Sequence, residues 1–189
     1  MSAAGGREKR RVVAGSRAAA RLIGAWHTEH VQIARLLDLL EREVALFHAS
    51  ERPNYDLMRD VVHFLRHFTD RVHHLREDAA FVRLVARDPA VEPQVNRLLQ
   101  EHRVIARAGE ALFSLLEAVL DGTYVARADI EAAAATYLVY YRNHIATEET
   151  AIMSRAASVL TAADWDAVAA AVPQADLRDA ARAARALGA

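Results

Sequence analysis

Two copies of one pattern hold the residues best suited to chemistry in this chain. Glu29-His30 precedes Ile33-Ala34-Arg35, and Glu101-His102 precedes Ile105-Ala106-Arg107. Forty-three residues after His30 comes His73-x-x-x-Glu77; 42 residues after His102 comes His144-x-x-x-Glu148. Each copy offers two imidazoles and one carboxylate. His-x-x-x-Glu sets a nitrogen and an oxygen donor one turn apart on one helical face. A single such pair also suits a surface hydrogen bond. Two pairs, each preceded by a His at nearly equal spacing, predict instead that His30, His73, Glu77, His102, His144 and Glu148 converge on metal. Without a cation, burying these groups would strand polar and charged atoms in a core. Six donors exceed the needs of one tetrahedral zinc. Two carboxylates can bridge two cations with two His on each, and a sulfur-free donor set suits iron or manganese.

The elements that must position these residues read as helices. The 189-residue chain is 53% hydrophobic and Ala-rich, with 7 Gly and 4 Pro, a balance that favours helix. Apolar residues at three-to-four spacing predict a first helix from about Arg17 to Ala49. Pro53 interrupts it, and a second runs from Tyr55 to Arg87. Asp88-Pro89 and Pro93 mark the next turn and helix start. The third helix ends near Leu120 before Asp121-Gly122. The fourth runs from Arg127 to Leu160. Thr161-x-x-Asp164 is a capping box for a short fifth helix to Val172. Short connections make neighbours antiparallel. The expected fold is therefore all-α: an up-down-up-down four-helix bundle with a short fifth helix. A frayed segment (1–16), the bundle domain (17–172) and a helical or frayed tail (173–189) are the expected parts. At 1.5 Å per residue, His30 and His73 both lie roughly 28 Å from the same end, and all four imidazoles fall near one level.

Composition narrows the function further. There is no Cys, which excludes disulfides and thiolate sites. The net charge of -1 gives no long-range pull toward nucleic acid or anionic lipid. No stretch is long and apolar enough to span a membrane, and no secretory signal is visible. A cytoplasmic protein with no membrane or nucleic-acid partner is expected. Of the 24 basic residues 23 are Arg, which reads as base-composition bias. The run Arg7–Arg11 reads as a solvated tail.

Other polar residues could support the site. His27, one turn before His30, reads as a supporting or surface residue rather than a seventh ligand. Tyr137, Tyr140 and Tyr141 are candidates to donate hydrogen bonds to a ligand carboxylate or a bound oxidant. His63, His67 and His74 form a separate stripe about 100° or more from His73, expected on an exposed or packing face. His74 and Asp78 repeat the His-x-x-x-acid spacing one residue out of register. Phe81, at helical spacing from Glu77, favours His73–Glu77 as the inward pair.

The segments Glu29-His30-x-x-Ile33, His73-His74-Leu75-Arg76-Glu77-Asp78, Glu101-His102 and Tyr140–Glu149 resemble the hemerythrin-like (HHE cation-binding) family, as does the closing Leu160–Trp165. The resemblance covers roughly residues 20 to 170. It implies a non-haem centre of two iron ions, bridged by Glu77, Glu148 and an oxo or hydroxo group, with His30, His73, His102 and His144 as terminal ligands; manganese and zinc are the alternatives. Oxygen-carrying members have a fifth His where this chain has Ala106, and an Asp five residues after the fourth-helix His where it has Glu148 four residues after. The pattern His, His-x-x-x-Glu, His, His-x-x-x-Glu is similar to a bacterial subgroup that includes mycobacterial-type proteins. Loss of one His is expected to leave both irons open, which argues against simple oxygen carriage. The expected function is reaction with a small oxidant: a catalase-like or peroxidase-type oxidoreductase acting on hydrogen peroxide, or nitric oxide or oxygen chemistry. The alternatives are an oxygen or nitric oxide sensor without turnover, and iron storage or delivery.

Overall fold

A computed structural model describes residues 3–47, 49, 51–172 and Arg182; the side chains of residues 3–19 and of Asp70 fall outside the description. The fold is all-helical, with no strand among the described residues. The expected tail, 173–189, lies outside the described residues apart from Arg182.

Helix α1 spans Ala3–Ala45. It starts well before the expected Arg17, so the segment expected to fray is helical from Ala3 despite Gly5, Gly6 and Gly15. Its end comes four residues before Ala49. The turn to α2 (Tyr55–Phe68) is closed by side chains: Asn54 Oδ1 accepts from Leu57 N–H at 3.0 Å, and Glu43 Oε2 accepts from Asn54 N–H at 2.7 Å. Together these satisfy donors that a helix start leaves orphaned.

The expected second helix, Tyr55–Arg87, is present over that span but is not uniform. A π turn at Thr69–His73 separates α2 from α3 (His74–Arg87), and His74 N–H donates to Thr69 C=O five residues back. The fourth expected helix is divided likewise. It comprises α5 (Arg127–Thr147), a π turn at Glu148–Ile152 and α6 (Met153–Val159), with Met153 N–H donating to Glu148 C=O. Each π turn inserts a residue into the helical count, and each lies among the predicted metal donors.

Between these segments, Asp88 caps a 3₁₀ turn at Pro89–Val91, which leads into α4 (Glu92–Leu120). Gly122 follows α4 at φ 81°, the left-handed conformation that stops a helix at least cost to Gly. Gly109, inside α4, has a different role. A Cβ there would lie 3.0 Å from both Tyr137 and Arg66, so the missing side chain lets α5 pack close. The predicted capping box is present. Thr161 and Asp164 exchange hydrogen bonds at the start of α7 (Ala162–Ala170), which ends two residues before the expected Val172.

Packing divides the apolar core in two. One cluster includes Ile33, Leu37, Val72, Ile105 and Tyr141. The other includes Trp26, Phe81, Leu98, Ile152 and Trp165 of α7. Along each long helical segment the predicted donors fall between the two: His30 between Trp26 and Ile33, His73 and Glu77 between Val72 and Phe81, His102 between Leu98 and Ile105, and His144 and Glu148 between Tyr141 and Ile152. The helical bundle therefore carries a polar layer through its interior. No helix among the described residues is long and apolar enough to cross a membrane.

Candidate metal centre

All six predicted donors are buried, none more than 7% exposed. Together with His74, which was not among them, they fall into two overlapping groups. His30, His73, Glu77 and Glu148 each bring one donor atom within 4.8 Å of the others. So do His74, Glu77, His102 and His144.

Glu77 is the shared member, and its two oxygens face opposite ways. Oε1 lies 2.8 Å from His73 Nε2 and 3.4 Å from His30 Nε2. Oε2 lies 3.2 Å from His102 Nε2 and 3.9 Å from His144 Nε2. Glu148 Oε2 also spans the groups, 3.2 Å from His30 Nε2 and 3.4 Å from His144 Nε2. Despite this crowding, both Glu148 oxygens, Glu77 Oε2 and His73 Nε2 are buried without a well-formed hydrogen bond. Orphaned buried acceptors are costly. Nitrogen and oxygen atoms left this way, clustered within a few ångströms, fit a cation.

The outward nitrogens are held by a ring of carboxylates. His30 Nδ1–H donates to Glu149 at 2.7 Å, and His73 Nδ1–H to Glu29 at 3.0 Å. His102 Nδ1–H donates to Asp78 at 3.0 Å, and His144 Nδ1–H to Glu101 at 3.3 Å. Each supporting acid is the sequence neighbour of a donor on a different helical segment: Glu29 of His30, Asp78 of Glu77, Glu101 of His102, Glu149 of Glu148. The support passes from segment to segment until the last returns to the first. A carboxylate on Nδ1 fixes the ring and turns Nε2 inward. Arginines anchor two of the acids, Arg76 on Glu29 at 2.6 Å and Arg97 on Glu101 at 3.0 Å.

Electrostatics follow from this packing. Burial opposes the charge on His30, but Glu148 and Glu77 outweigh it and push the ring up to about 10. His144, similarly opposed by burial, reaches about 10 through Glu148, Glu101 and Glu77. His102 reaches about 9, with Asp78 and Glu77 overcoming burial. Burial works against the charge on Glu77, yet His73 and the imidazoles around it hold its carboxyl well below the usual range. Burial, and then the charge of Glu77, push Glu148 up. Trp26 Nε1–H donates to His30 Nε2 at 3.1 Å. That bond belongs to the neutral ring, whereas the imidazolium would turn the same nitrogen toward Glu148.

His74 corrects the expected stripe. It is 5% exposed, while His63 and His67 are exposed and stacked on each other at 6.1 Å. The cause is the π turn at Thr69–His73, which rotates everything after it relative to α2. His74 therefore leaves the His63–His67 face and stacks on His102, with ring centroids 4.0 Å apart. Burial holds its imidazole well below the usual range. Phe81 is buried as expected, while Asp78, one residue past Glu77, reaches His102 from a half-exposed position.

The candidate supporting residues divide. Tyr140 is 41% exposed, so it does not face the centre. Tyr137 and Tyr141 are fully buried and meet edge-to-face at 5.5 Å, with the Tyr141 ring 6.3 Å from that of His74. His27 is exposed and pairs with Glu149 at 2.9 Å, behind the acid that holds His30. The supporting acids themselves were visible only as neighbours of donors, because their targets lie on other helices.

No curated protein and no solved structure matches the chain. The family model described as the hemerythrin HHE cation-binding domain matches residues 21–156. With buried His and Glu groups able to hold metal over that same span, the chain belongs to the hemerythrin HHE cation-binding family.

Proposed function

We propose that this protein holds two iron ions in the polar layer and uses them to decompose hydrogen peroxide. His30, His73, His102, His144, Glu77 and Glu148 are the ligands in this proposal, with a solvent-derived oxo or hydroxo bridge completing the pair. The observation that carries it is the division of Glu77, one oxygen toward His30 and His73 and the other toward His102 and His144. A carboxylate so placed would hold two cations rather than one. Nitrogen and oxygen donors without sulfur favour iron over softer-ligand metals. The order of the apolar clusters along the chain reverses from each long helical segment to the next, which supports up-down-up-down topology around the centre.

Bound iron supplies electron transfer and charge stabilisation. The chain's residues supply the rest. The carboxylates offset the cationic charge, the ring of outer acids fixes the imidazoles, and the apolar clusters on either side limit water. Two peroxides yield one dioxygen and two waters, so one is oxidised as the other is reduced and no outside electron donor is consumed. The test is metal analysis followed by peroxide addition. The expected result is about two irons per chain, from the two donor groups, with dioxygen evolved. One zinc per chain would overturn the two-iron assignment. A stable coloured adduct without dioxygen would overturn turnover and make the protein a binding module.

A further inference from the structure

We propose that His74 is a metal ligand, the third imidazole on the cation held by His102 and His144. This rests on the two-iron reading above. Its own support is geometric. His74 is buried, and it offers a donor atom within 4.8 Å of those of Glu77, His102 and His144. Its ring stacks on His102 at 4.0 Å and meets His144 edge-on at 5.8 Å. The backbone is reshaped at this point. The π turn ends at His73, and the bond from His74 N–H to Thr69 C=O closes it. Without that inserted residue, His74 would continue the exposed face of His63 and His67.

The two cations then differ. One has three imidazoles, His74, His102 and His144; the other has two, His30 and His73. The first group would thus offer its cation three imidazoles and the second only two, leaving the cation on His30 and His73 with fewer protein donors and more room for an exogenous ligand. The small oxidant is thereby directed to the cation on His30 and His73, the side that the Trp26 indole N–H faces. This replaces the expectation that both cations are open.

The experiment compares the full chain with H74A, using H63A as a surface control. Each is loaded with ferrous iron, oxidised, and measured for iron content and by Mössbauer spectroscopy, with and without free imidazole. The wild type and H63A should hold two irons in distinguishable environments. H74A should lose one iron or render the two alike, and added imidazole should restore the difference. Two irons with an unchanged spectrum in H74A would overturn the assignment and leave the two-iron reading intact. Failure of the wild type to bind two irons would overturn both. Should H74A not fold, the wild type alone decides. With labelled His, five imidazoles should show paramagnetic shifts on loading, and four would overturn the proposal.

Discussion

Glu149 Oε1 accepts from His30 Nδ1–H at 2.7 Å across 119 residues of chain. It joins the last segment carrying candidate donors to the first. The exposed ring of His27, 2.9 Å from the same oxygen, adds a second contact from α1. Glu149 touches no other donor of the centre, so its effect on metal passes through His30. Replacing it with Ala should weaken metal binding by about 10- to 100-fold, the usual cost of removing an acid behind a ligating His, with little change in helical content. Competition against a chelator of known affinity measures this, and unchanged affinity would refute the positioning role. H27A should have a smaller effect, since surface ion pairs contribute little.

Glu148 and Asp78 test the division between inner and outer acids. Glu148 is fully buried between His30 and His144, so E148A should abolish binding of the metal pair. Asp78 reaches only His102 Nδ1 from its half-exposed position. D78A should retain metal with affinity lowered about 10- to 100-fold. Iron content after dialysis distinguishes them, and complete loss in D78A with retention in E148A would invert the assignment of helical faces.

Metal and protons compete for the same nitrogens. The carboxylates raise His30 and His144 to about 10 and His102 to about 9. Ligation requires the unprotonated ring. Loading chelator-stripped protein near neutral pH should therefore release more than one proton per chain, and affinity should climb with pH until it levels near 9 to 10. Stability of the stripped protein moves the other way. Folded values above the unfolded reference of about 6.5 stabilise fully below that reference and are lost as pH rises through the folded values. Acidification of a weakly buffered solution on loading checks the first claim. Thermal melts across the alkaline range check the second. Flat affinity between about pH 6 and 9 would contradict the charged-ring picture.

Gly109 offers a test away from the donors. In G109A the new Cβ would approach Tyr137 Cε2 and Arg66 Cγ, each at 3.0 Å. Neither neighbour yields easily: Tyr137 is fully buried, and Arg66, met near its stem, is held by Glu110 and by the Phe113 ring. Overpacking should cost about 1–3 kcal/mol, against a gain of up to about 1 kcal/mol in helix propensity. A net fall in the midpoint of chemical denaturation is expected, and a rise would show that α4 and α5 separate more easily than their packing implies.

The inward donors were legible because their spacing repeats and because Pro53, Pro89, Pro93 and Gly122 mark the breaks that bring them level. The helix spans near Tyr55, Arg87 and Leu120 were legible for the same reason. His74 was not. A π turn leaves no periodic mark in the sequence, and an unbroken helix through Thr69–His73 sends this ring to the wrong face. Tyr140 failed for a related reason. Its neighbours Tyr137 and Tyr141 share the inner face, and sequence proximity alone could not separate it from them. The acids behind the imidazoles required knowing which helices are neighbours and how each is rotated.

The circuit of outer acids sets an order on assembly. Within each copy of the duplicated pattern the second His is steadied from inside its own hairpin: His73 by Glu29, His144 by Glu101. The first His of each copy depends on the opposite hairpin: His30 on Glu149, His102 on Asp78. Neither half can aim its full complement of rings unaided. A nascent chain thus cannot have all four imidazoles braced until residue 149 has been made and docked.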